Sequence, residues 1–110
     1  MVIKVLNRDL VEQEIGYRPF TTFWEDFSIA DAFGVSAVKD TYNSVYNSWK
    51  DNYKYWTELV LILNWKIHDH YKSNNMALAQ AYDELWYKAR NHALDTFSDD
   101  EKQYFYEITD

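Results

Sequence analysis

Residues 53–71 read YKYWTELVLILNWKIHDHY, with five consecutive aliphatic residues from Leu59 to Leu63 set between aromatic residues and two histidines. Such a run can be a membrane anchor, a ligand box or a core. A helix that crosses the hydrocarbon needs about 20 apolar residues, whereas Glu58, Asn64 and Lys66 bracket this run. The stretch therefore reads as the centre of a helical bundle, apolar on every face because neighbours surround it.

Moving outward, Tyr42, Tyr46, Trp49, Tyr53, Trp56, Val60, Leu63, Ile67 and His70 recur at alternating steps of four and three, an unbroken heptad seam. Asp51 and Asn52 offer a cap in its middle, yet the phase runs through them. That favours one long central helix, straight or kinked, from about 36 to 72 and capped by Ser36, over two separate helices. On its far side KSNN (72–75) breaks the pattern and can cap a helix lined by Leu78, Tyr82, Leu85, Ala89 and Ala93 and widened by Trp86 and Phe97. So short a link makes 53–72 and 76–96 an antiparallel hairpin.

Two capping-box spacings mark shorter helices. Thr22 and Glu25 open one at about 22–33, with Phe23, Phe27 and Ala30 on one face and Gly34 suited to the left-handed position at its end. Ser98 and Glu101 open a last one to about 108, with Asp99 and Asp100 in its first turn and Tyr104, Phe105 and Ile108 as its apolar face. The N-terminus is less regular. Val2–Leu6 suits a short strand that would have to pair with another copy or another protein, or an extended arm lying on the helices; residues 8–16 suit one or two helical turns. Only two glycines and one proline occur, all before residue 35, leaving the rest without a strong helix breaker. The expectation is one all-α domain over residues 1–110: an arm or strand at 1–20 and a small bundle at 22–110, in which the central helix pairs with an antiparallel partner among short flanking helices.

Eighteen acidic against eleven basic residues give a net charge of −7, which disfavours direct binding to nucleic acid or anionic lipid. Six of the acids fall at Asp95, Asp99, Asp100, Glu101, Glu107 and Asp110, against Lys102 alone. The chain has no cysteine, which removes disulfides, thiolate metal sites and cysteine nucleophiles. With no signal-like apolar run at the start, it suggests a cytoplasmic protein.

No motif for chemistry emerges. His68 and His70 are two apart and diverge on a helix, so with Asp69 between them and His92 elsewhere they read as a seam histidine and a surface one rather than metal ligands. The two glycines form no phosphate cradle, and none of the six serines sits in a nucleophile elbow. The acidic pairs Glu25/Asp26 and Asp83/Glu84 read as solvated surface. No enzyme, metal or cofactor is expected.

Aromatic content remains, with ten tyrosines and five tryptophans. Tyr55, Tyr71, Tyr87 and Tyr106 fall off the apolar seams, and exposed tyrosines beside carboxylates suit a protein-binding surface. The candidate partner-binding residues are Asp95, Asp99, Asp100, Glu101, Tyr106 and Glu107, and the expected partner is a protein with a basic surface. The alternative is a homodimeric or homo-oligomeric structural accessory, paired through the seam or the N-terminal segment.

The run FWEDFSIADAFGVSAVKDTYNSVYNSWKDNYKYWTELVLILNWKIHDHY (23–71), with YDELWYKA and the closing YFYEITD, resembles short uncharacterised acidic helical proteins of phages and integrative conjugative elements in Gram-positive gut bacteria. The resemblance carries no activity or functional residues over. It implies a mobile-element setting, where small acidic proteins act as anti-restriction or anti-CRISPR-like DNA mimics on host nucleic-acid enzymes.

Overall fold

A computed structural model describes residues 19–109, which form five α-helices and no strand among the described residues: α1 (Pro19–Phe33), α2 (Val35–Trp49), α3 (Tyr53–Lys72), α4 (Met76–Thr96) and α5 (Asp99–Thr109). The readings at Val2–Leu6 and at residues 8–16 lie outside this range. The all-α bundle expected from the heptad pattern is present.

Helix α1 begins at Pro19, a residue whose locked φ suits a first turn and whose missing N–H is not needed there. It ends at Gly34, where φ is +105° and ψ −172°, backbone that side chains with a Cβ avoid. Gly34 donates its N–H to Ala30 and accepts at its carbonyl from Val38, so one residue closes α1 and opens α2. The expected Ser36 cap is thus corrected: α2 starts at Val35 with no side-chain cap.

The single helix over 36–72 is also corrected. The chain leaves the helix after Trp49, and Asn52, in extended backbone, accepts from the Tyr55 N–H at 3.2 Å to start α3. Trp49 and Tyr53 flank the break four residues apart, which is why the seam's phase survives it. Both halves of the seam still face inward: Tyr42, Trp56, Val60, Leu63, Ile67 and His70 are buried, with Tyr46, Trp49 and Tyr53 packed at the margin.

Helix α3 is the centre of the bundle, and every residue from Trp56 to Leu63 is buried. Glu58 and Lys66, expected as polar brackets, are buried too, while Asn64 faces solvent. At its end the Asn74 N–H reaches Tyr71 O at 3.1 Å and the Asn75 N–H reaches His70 O at 2.8 Å, with Asn74 left-handed at φ 60°. This is a Schellman motif with Asn in the usual glycine place. Asn75 then caps α4 through Leu78 N–H, and α3 and α4 pack as the expected hairpin, joined where Trp56 Nε1 donates to Ala89 O at 2.8 Å. None of the described helices is long and apolar enough to cross a membrane.

Candidate functional site

Residues expected to bind a partner separate into three groups. On α5, Phe105 and Ile108 point into the core, and Asp99, Asp100, Gln103, Tyr106 and Glu107 are exposed. Their spacing of three, four and seven puts them on one outward face. Among the described residues, none of these three acids forms an ion pair, and the Gln103 amide donates to Glu107 Oε1 at 3.1 Å. Glu101 is diverted: its Oε1 accepts from Ser98 N–H at 2.9 Å while Ser98 Oγ accepts from Glu101 N–H at 3.3 Å, a reciprocal capping box. Asp95 lies in the last turn of α4 and lines a groove against α2.

That groove, about 500 Å³, is bounded by Tyr42, Asn43 and Tyr46 on α2 and by Lys88, Asn91, His92 and Asp95 on α4. Burial first, and the neighbouring Tyr46 second, push the Tyr42 hydroxyl up to about 12. Although the groove collects a histidine and a carboxylate, His92 is engaged elsewhere. Its Nε2 lies 2.8 Å from the Lys50 carbonyl, which only accepts, so Nε2 carries the proton. Lys50 closes α2, so His92 satisfies a helix C-terminus at the break between α2 and α3. Its ring also packs on Trp56 (4.7 Å between centroids) and Tyr46 (5.4 Å).

A second polar cluster was not anticipated. Asp31 on α1 accepts from Lys66 Nζ at 3.0 Å and His70 Nε2 at 3.1 Å through one oxygen, and from the Tyr82 hydroxyl at 2.5 Å through the other. Lys66 Nζ also donates to Ser28 Oγ at 2.8 Å and lies 4.0 Å from the centre of the Trp24 ring. The His70 ring stacks on Tyr82, 14° from parallel. Desolvation, then the hydrogen bond and charge of Asp31, push the Tyr82 hydroxyl far above its ordinary range.

Chemically this cluster ties α1 to α3 and α4. A serine beside a lysine suggests a nucleophile and base, but the Lys66 ammonium is already bonded to a carboxylate and gives Ser28 a donor rather than a proton acceptor. The three donors account for the Asp31 carboxylate as a structural acceptor. Each partner is visible as a residue type in the sequence; their meeting depends on how α1 docks, which no local spacing encodes. Of the off-seam tyrosines, Tyr71, Tyr87 and Tyr106 are exposed, while Tyr55 packs on Trp49 at 4.4 Å. His68 is exposed and His70 buried, and no group of three or more metal-ligating side chains occurs among the described residues.

No protein-family model matches the chain, and neither a curated protein nor a solved structure is significantly similar to it.

Proposed function

We propose that the protein is a non-enzymatic, acidic binding module whose outward α5 face engages a basic protein surface. The supporting observation is that Asp99, Asp100 and Glu107 stand exposed around Tyr106 and, among the described residues, no cation is paired to any of them. Carboxylates steer the encounter, and Tyr106 supplies an aromatic anchor at its centre. A host nucleic-acid-binding enzyme is the proposed target, because a surface built to hold phosphates also accepts carboxylates; the protein then acts in the cytoplasm as a DNA mimic from a phage or other mobile element. The test is capture of partners from lysate at low and high salt, by the native chain and by a variant with Asp99, Asp100 and Glu107 replaced by Lys. Ser98 and Glu101 are kept, because they cap α5. A basic nucleic-acid enzyme retained only by the native chain and released by salt supports the reading; retention by both chains, or indifference to salt, overturns it.

Self-association is the second reading, favoured by a different face. The seam first suggested for it is buried in the chain's own core, whereas Ile29 and Phe33, one turn apart on α1, are 63 % and 79 % exposed. An outward aromatic and aliphatic pair of this kind suits a contact between copies. Sedimentation equilibrium of native chain and Phe33→Glu decides it: a native dimer made monomeric by the substitution supports the reading, and a monomer at high concentration removes it.

A further inference from the structure

A cleft of about 60 Å³ opens where α3, α4 and α5 meet, on the side of α5 away from its acidic face. Val60 and Leu61 of α3 and Phe105 of α5, all buried, make its apolar walls. Three polar side chains line it: Asn64, one turn along α3, Arg90 on α4 beside Trp86, and Thr109 at the end of α5. Arg90 is half-buried, and its guanidinium lies 5.9 Å from the centre of the Trp86 ring one turn earlier on the same helix. Among the described residues the Trp86 ring is its partner, and neither a carboxylate nor a carbonyl accepts from any of its N–H groups. The Thr109 hydroxyl at the rim donates to Phe105 O at 2.7 Å and is already used.

A guanidinium carries its donors in a planar fork matched to a carboxylate, and leaving it half-dehydrated without an acceptor is unfavourable. The apolar walls discriminate among anions: phosphate and sulfate keep water on every side, whereas a carboxylate with a short alkyl tail presents its charge to Arg90 and its carbons to Val60, Leu61 and Phe105. At roughly 10–15 Å³ per water-sized group, the cleft holds about four to six such groups, which is propionate, or the Cα, Cβ and carboxylate of a terminal alanine with the rest of its peptide outside. We propose that this cleft is a binding site for a short aliphatic carboxylate, held by the Arg90 fork and the Asn64 amide. The same chemistry comes from a free acid or from the end of a peptide chain.

The experiment is a titration of the ¹⁵N-labelled protein with propionate, with N-acetylalanine standing for a peptide terminus, and with inorganic phosphate at matched ionic strength. Shifts are read at the Arg90 Nε–H and the Trp86 indole N–H. Saturable shifts at millimolar carboxylate, about tenfold weaker or absent in Arg90→Gln, establish the site, and the stronger of the two acids names the source. Asn64→Asp changes an exposed residue, leaves the core intact and is expected to abolish binding by placing a like charge at the mouth. Equal shifts with phosphate, or binding that persists in both variants, overturn the proposal.

Discussion

The indole N–H of Trp56 on α3 donates to the carbonyl oxygen of Ala89 on α4, with both residues completely buried. Nε1 is the ring's only donor, so the bond fixes how α3 and α4 are rotated against each other. Trp56→Phe removes it along with part of the ring's contact with Tyr42, Tyr46 and His92. We expect a loss of about 2–4 kcal/mol from cavity and hydrogen bond together, read as a lower urea midpoint at unchanged slope. An unshifted midpoint would mean that the contact is not formed.

Asp31→Asn should be among the most damaging single changes in the chain. The Lys66 side chain is only 3 % exposed and that of Asp31 16 %, and removing one partner of a buried pair costs roughly 3–5 kcal/mol because the other charge stays behind. Lys66→Met leaves Asp31 with His70 and Tyr82 and should cost less. The double variant, compared with the sum of the singles, should show strong coupling; simple additivity would argue that the two groups act independently.

Alkaline pH offers another test. The Tyr42 hydroxyl sits at about 12 and that of Tyr82 higher still, each raised above the ordinary value of 10. The folded chain therefore keeps these protons where the unfolded chain has lost them. Their contribution is complete below about pH 10 and is lost as pH climbs through the folded values, so stability falls with rising pH in that window. Melting temperatures followed from pH 9 upward should drop less steeply in Tyr42→Phe; matching slopes for native and variant would contradict the assigned burial.

Gly34→Ala isolates backbone strain, since a Cβ there would meet no atom within 4 Å while φ stays at +105°. A cost of about 1–3 kcal/mol follows from the conformation alone. Thermal melts report it, and a variant as stable as the parent would show that α1 and α2 can join through an ordinary turn.

Asn52→Ala removes the cap at the break and should cost about 1 kcal/mol. Lys50 and Asn52 already donate their N–H groups to Tyr46 O and Trp49 O, so hydrogen exchange at the Asp51 amide between them is the readout. An Asp51 amide that stays unprotected keeps α2 and α3 separate, whereas new protection there would show that the helix prefers to run through once the cap is gone.

Local and periodic features were legible in the sequence. Phe23, Phe27 and Ala30, the seam residues, and the α4 face at Leu78, Tyr82, Leu85, Ala89 and Ala93 are all inward as their spacing requires. The Ser98–Glu101 box forms with both of its bonds. The break at Asn52 had a local signal in its cap residue, but the turn returns the chain in register, so periodicity favoured a continuous helix over it. The Asp31 cluster was hidden for a different reason: Asp31, Lys66, His70 and Tyr82 come from three helices, and an acid next to Ala30 and Ala32 looks like surface until α1 is docked. On α5, composition located the cluster of acids but could not separate Glu101, spent on its own backbone, from the exposed Asp99, Asp100 and Glu107.

The short link between α3 and α4 has a consequence for the order of folding. Closing three residues costs little chain entropy, so this hairpin can form early. Docking of α1 must instead close the loop between Asp31 and Lys66 and strip water from an ammonium group as it does so. We expect the transition state to contain Trp56 against Ala89 but not yet the Lys66 contact, so that substitutions at Asp31 act mainly by speeding unfolding rather than by slowing folding.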